Sequence, residues 1–297
     1  MKKWFLSHRK IVTIAIIAVG ILIMLIPAML YKTCSKSDFE LVEILYYTSQ
    51  IVSAIFVISG FVIAIWQYYL SCVDSKRTMD IIRVQKAVDL SEYYKDYILS
   101  YKAPIEYIFT NSGISEIISK IDSSQMEYFD EKELHTFLAD EDIYSLKNIQ
   151  KSHEFFTAVI NANSIYNIGL SDELIELYKQ KCNGEYNLSD LDAKILSTFL
   201  GKLITKVLNN MEFFSLHFTH NVADESVVYK SLHQTYIDIV KTLYYNIAKI
   251  NPLSTTKYFT NIIELYKLWN DRAINDETTF TDGVRNLTNK GTVVDSK

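Results

Sequence analysis

The side chains best suited to chemistry are His217, His220, Asp224, Glu225 and His233. Histidines three residues apart share one face of a helix, as two ligands of a metal ion would. The same pair stands at a helix end beside Thr219 and Asn221, where exposed histidines and capping side chains are ordinary. Asn209, Asn210 and Glu212 interrupt an apolar stretch with Leu208, Met211 and Phe213. Polar groups in such a place either form a site or make satisfied contacts at the edge of a core, and the second is expected. Cys34, Cys72 and Cys182 are far apart with no CxxC, so they read as isolated thiols. Cys34 falls on the expected external side, and Cys182 has no histidine near it in sequence. No phosphate loop, dinucleotide loop, HExxH, GxSxG or calcium-loop pattern occurs. No catalytic residue, metal site or cofactor is therefore expected.

Nucleic-acid chemistry is also disfavoured. The 21 tyrosines and 15 phenylalanines could stack on bases. They follow helical spacing without interleaved lysine and arginine, and the net charge is −5, where a basic stripe would be expected. Core packing is the stronger account of the aromatic residues.

The elements that would position these residues begin at two apolar runs. Residues 46–70, YYTSQIVSAIFVISGFVIAIWQYYL, carry no charge, are apolar on every face and end in aromatic rings. That length crosses a hydrocarbon layer of about 30 Å, with rings where headgroups begin. Residues 11–31 form a second run behind a basic start at Lys2, Lys3, Arg9 and Lys10. A signal peptide shares that start, but the run is longer than an ordinary apolar region and no A-x-A cleavage site follows. Pro27 would kink or end this span. Lys76, Arg77, Arg83 and Lys86 follow the second span, whereas the link between the spans is mildly acidic. The expectation is a transmembrane hairpin over 1–73, both termini cytoplasmic, in a bacterial inner membrane. Gly60 and Ala64 would permit close helix packing there. Lys76, Arg77 and Arg83 would meet anionic headgroups.

Behind the hairpin, 74–274 reads as an all-α cytoplasmic bundle, since glycine (8) and proline (3) are scarce and no period-2 run appears. The second span is expected to run on as one helix to about residue 100, bending near Asp74, since apolar residues recur with helical spacing at Ile81, Val84, Val88, Tyr94, Tyr97 and Ile98. Further helices are expected from Pro104 to Gly113, Ser115 to Ile121, Asp130 to Leu138, and Asp140 to Gly169 as one long element. Others follow from Ser171 to Cys182, from Ser189, from Asp224 to Pro252, and from Thr255 to Ala273. The apolar pattern stops at Asn275, so 275–297 is expected to be a disordered polar tail.

The hairpin ending in IAIWQYY, the stretch VQKAVDLSEYYKDYIL and the late NNMEFFSLHF, ADESVVYKSLHQTY and YFTNIIELYKLW segments resemble a family of bacterial two-transmembrane helical proteins. It is similar to the membrane effectors of anti-phage systems, including abortive-infection and retron-paired proteins. The resemblance is one of architecture and carries no catalytic motif. It implies an effector that disrupts the inner membrane when triggered, acting on the lipid bilayer through self-association. A partner defence protein is implied too, a reverse transcriptase with its DNA–RNA product in the retron case. A membrane-tethered scaffold for a cytoplasmic partner fits the same residues, and an enzyme using His217 and His220 is the third reading.

Overall fold

The computed structural model describes residues 38–172, 175, 176, 178, 189–252 and 257–291, with side chains described within 43–276. Among the described residues every regular element is helical, as an all-α chain requires. The first expected span, 11–31, and with it the hairpin, lies outside the described residues. The chain divides into two compact units, Met1–Met79 and Asp80–Lys297. Helix α1, Asp38–Tyr94, contributes to both. The helix is unbroken at Asp74.

The helical path changes at Lys95–Leu99, which forms a single π turn, and resumes as α2, Ser100–Asn111. Pro104, expected to open a helix, sits buried inside α2. A proline within a helix offers no N–H to the carbonyl four residues back and crowds it. Here that carbonyl belongs to Ser100, and the widened turn lies immediately ahead of it.

Of the apolar residues of this region, Ala87, Leu90, Tyr94 and Ile98 are buried, whereas Ile81, Val84 and Val88 are 61%, 41% and 42% exposed. Arg83 is half-buried beside them.

Gly113, at φ 82°, turns the chain into α3, Ile114–Ile118. Helix α4 is Glu131–Phe137, capped by the Asp130 carboxylate on the Glu133 N–H. The single long helix expected from Asp140 to Gly169 is two, α5 (Asp140–Asn148) and α6 (His153–Tyr166). Ser152, in extended conformation, accepts from the Phe155 N–H and starts α6 anew. A capping serine inside an apolar-periodic run divides it without disturbing the hydrophobic pattern. Helix α7, Asp190–Thr219, opens with a reciprocal capping box between Ser189 and Asp192. Helix α8, Glu225–Ile250, is capped by Asp224. Helix α9, Thr260–Gly291, starts later than Thr255 and stays helical past Asn275, where disorder was expected. Of the short helix expected from Ser171, only its first part falls among the described residues.

In the second unit α9 packs against both α7 and α8, and α2 packs against α6 and α7. The hub is Trp269, fully buried on α9. Its ring centroid lies 5.0 Å from Tyr236, 5.9 Å from Tyr229 and 6.4 Å from both Phe214 and Phe218. Most of these contacts are edge-on, the geometry aromatic quadrupoles favour. Tyr94 joins the same cluster through Phe214, at 4.9 Å.

Candidate functional site

From Ile44 to Val73 α1 carries no Asp, Glu, Lys or Arg. Most of its apolar side chains are exposed, Ile51, Val57, Phe61 and Tyr68 by 62%, 70%, 68% and 73%, whereas Val52 is buried at 4%. Among the described residues one helix is long and apolar enough to cross a membrane. Its most apolar window has a mean hydropathy of 2.1 and is 6% buried. A core helix of a water-soluble fold would be mostly buried, so the apolar surface here has no partner in the described chain. Its polar side chains suit hydrocarbon. Thr48 Oγ1 donates to the Ile44 carbonyl at 2.7 Å and Ser49 Oγ to that of Tyr46 at 2.8 Å. Both hydroxyls are thereby satisfied within the helix.

Gly60 and Ala64 lie on this exposed surface, and a Cβ added at Gly60 would meet nothing within 4 Å. Lys76 and Arg77 are exposed. Arg83 is drawn into the helical domain. Its Nη2 donates to Asn221 Oδ1 at 3.3 Å, and its carbonyl accepts from the Asp224 N–H at 3.1 Å. Arg83 thus pins the α7–α8 turn to α1, a contact no sequence pattern announced.

The polar residues of α7 form a seam that ties other elements together. Asn210 Nδ2 donates to the Tyr97 carbonyl in the π turn at 2.8 Å, and its Oδ1 accepts from the Tyr93 hydroxyl at 3.1 Å. The Glu212 carboxylate accepts from the Asn261 N–H at 3.2 Å, Asn261 Nδ2 at 2.8 Å and the Ile262 N–H at 3.0 Å. It therefore caps α9, whose first N–H groups have no intrahelical partner and favour negative charge. Asn209 is exposed and borders an open depression of about 630 Å³ with Thr198, Gly201, Lys202 and Thr205.

The histidine cluster is taken apart by the fold. His217 Nδ1 is 2.8 Å from the Phe213 carbonyl, and its ring meets Phe213 edge-on at 4.6 Å. His220 Nδ1 is 3.1 Å from Thr219 Oγ1. His233 Nδ1 is 2.8 Å from the Tyr229 carbonyl, and its ring stacks on Tyr229 at 4.5 Å. Asp224 is spent on capping α8, and Glu225 pairs with Arg272 Nη1 at 3.2 Å. Arg272 also lies 3.9 Å over the Tyr229 ring. Among the described residues no three His, Cys, Asp or Glu side chains are grouped to hold a metal ion. Cys72 is an exposed free thiol, and Cys34 and Cys182 lie outside the described residues.

Sequence reasoning missed a second carboxylate clamp. Glu133 is buried and accepts from the N–H groups of Glu127, Tyr128 and Phe129 at 2.6–2.7 Å, and from the Tyr244 hydroxyl at 2.6 Å. It does not return to the Asp130 backbone as a capping box would. It holds Phe129 at φ 53°, an uncommon conformation for a bulky residue. Burial, then the hydrogen bond and charge of Glu133, push the Tyr244 hydroxyl far above the usual tyrosine range. Burial raises Tyr94, Tyr236 and Tyr266 in the same direction. Comparison with protein families, curated proteins and solved structures found no match for this chain.

Proposed function

We propose that this protein is a membrane-anchored effector of bacterial anti-phage defence, whose helical domain governs when its apolar helices disrupt the inner membrane. The observation that supports this reading is the uncharged, mostly exposed apolar surface of α1, in one helix with residues of a clasped helical domain. In this reading the runs 11–31 and 46–70 form the hairpin, with both termini cytoplasmic. Lys76 and Arg77 meet anionic headgroups. Two helices are too thin to enclose water, so leakage requires several hairpins to assemble, and the open surface at Gly60 and Ala64 is where they would pack. A reverse transcriptase with its DNA–RNA product is the partner if the system is of the retron type.

The test is membrane integrity in a bacterial host after induction of the full chain, read with a potential-sensitive dye and propidium iodide, and repeated during phage infection with the neighbouring genes present. A chain starting near Asp74 is the control. Depolarisation from the full chain alone is expected. Gly60→Leu is expected to weaken it while leaving insertion intact. An intact membrane under every condition overturns the reading and favours a tethered scaffold.

A further inference from the structure

We propose that the open depression on α7 is a binding site for a nucleotide, a small molecule that carries both phosphate and an aromatic base. This inference stands on the geometry of the helical domain and does not depend on the membrane reading. The depression holds about 630 Å³ over Thr198, Gly201, Lys202, Thr205, Lys206 and Asn209, with Asn210 at its edge. That volume is within the range of small-molecule sites. Gly201 leaves it unfilled, and a Cβ added there would meet nothing within 4 Å.

The charge of this face is one-sided. Between Ala193 and His220 the one acidic residue is Glu212, and its carboxylate is turned to the first N–H groups of α9. Lys194, Lys202 and Lys206 are exposed with no carboxylate partner among the described residues. In a chain of net charge −5 such a face attracts anions. Lys206 Nζ donates to the Tyr101 hydroxyl and lies 4.2 Å over its ring, which fixes the ammonium at the edge of the depression. Lys202 and Lys206 together balance the charge of a phosphate monoester. The Asn209 amide, with no partner among the described residues, adds donors. Thr198 and Thr205 donate to the carbonyls of Lys194 and Gly201, so their oxygens are left to accept from ribose hydroxyls.

Rings stand beside these donors. Phe213 follows Asn209 by four residues on the same face of α7 and is 45% exposed. Asn210 bonds the Tyr93 hydroxyl and the Tyr97 carbonyl, and the Tyr93 ring lies 5.2 Å from Phe213 and 4.8 Å from Tyr97. Tyr97 is itself 51% exposed. Phe213 and Lys206 are about 10 Å apart along α7, a gap that a ribose phosphate and a lysine side chain close together. Tyr97 and Tyr101 are far from Lys206 in sequence, and the fold interleaves them, the combination that bases and phosphates favour.

The test is equilibrium dialysis of the full chain, in uncharged detergent at low salt, against adenosine monophosphate, adenosine, inorganic phosphate and an oligothymidine strand. Saturable binding of adenosine monophosphate below ~1 mM is expected. Adenosine and phosphate should each bind about tenfold more weakly, since one lacks the charge and the other the stacking ring. Lys202→Gln and Lys206→Gln should each weaken the nucleotide about fivefold, and added salt should weaken it in the parent protein. Gly201→Leu should fill the depression and remove binding without lowering the unfolding midpoint, because leucine is the better helix former at an exposed position. That variant separates a blocked site from a broken fold. Equal binding by the parent and a folded Gly201→Leu protein overturns the site, and so does the absence of saturable nucleotide binding. Phosphate that binds as tightly as the nucleotide overturns the assignment of the ligand, as does binding of the oligothymidine strand alone.

Discussion

Helix α1 meets two environments along one axis, and its side chains differ accordingly. From Ile44 to Val73 the helix carries no charge and, Val52 apart, its large apolar side chains are outward-facing or half-exposed. From Asp80 to Tyr94 a narrow stripe is buried, charges occupy the other faces, the Tyr93 hydroxyl donates to Asn210 of α7, and Arg83 bonds Asn221 through its guanidinium and the Asp224 N–H through its carbonyl. The first region has affinity without address. The second has its address written in hydrogen bonds, which are directional where apolar contact is not. If α1 is membrane-anchored, as proposed, it needs both kinds of surface.

That contrast can be broken from either side. The largest expected effect is on the clasped region: Trp269→Ala empties the aromatic hub and should cost about 3–5 kcal/mol of domain stability by denaturant titration. Membrane partitioning of the chain should be unaffected. The reverse pattern is expected of Ile58→Lys on the exposed region, which should weaken insertion by about 2.5–3.5 kcal/mol and leave the domain's unfolding midpoint in place. A loss of domain stability in Ile58→Lys would show that the two regions are not energetically separate. Glu133→Gln keeps shape but cannot accept from every donor around it, and about 2 kcal/mol of domain stability should be lost. The last effect is absent near neutral pH and appears only in alkali. The folded state raises the ionisation of Tyr94, Tyr236, Tyr244 and Tyr266 above the ordinary value near pH 10. Below that pH they are neutral whether folded or not, and their contribution is intact. Above it only the unfolded chain ionises, so stability should fall by about 1.4 kcal/mol per pH unit for each tyrosine. A flat stability profile from pH 9 to 11.5 would contradict their burial.

Much of the fold was legible in the sequence, and the exceptions have local causes. Periodicity located α7 and α8, and Ser189 and Asp224 marked their starts, because capping chemistry is written in neighbouring residues. The break at Ser152 was hidden, since the cap keeps the hydrophobic period running on either side. The π turn after α1 was hidden for a deeper reason: it has no composition of its own, and Asn210, which bonds to its Tyr97 carbonyl, is more than a hundred residues away in sequence. Asn210 and Glu212 were noticed as polar interruptions on an apolar stripe, and satisfied contacts were expected of them. Their partners could not be named, because long-range pairing leaves no local pattern. The histidine cluster looked chemical only because sequence proximity was read as spatial convergence. The fold points His217 and His233 at backbone carbonyls on their own helices.

The polar clasps also set a clock. Arg83 waits for Asn221, 138 residues later, and Tyr97 for Asn210, 113 residues later. At about 5–20 residues per second of synthesis, each pair is separated by roughly 6–28 s. For that interval the nascent chain presents Ala87, Leu90, Tyr94 and Ile98 with none of their α7 partners yet made. A newly emerging copy is thus at its most adhesive before its own restraint exists, and slow codons between residues 100 and 210 would prolong that exposure.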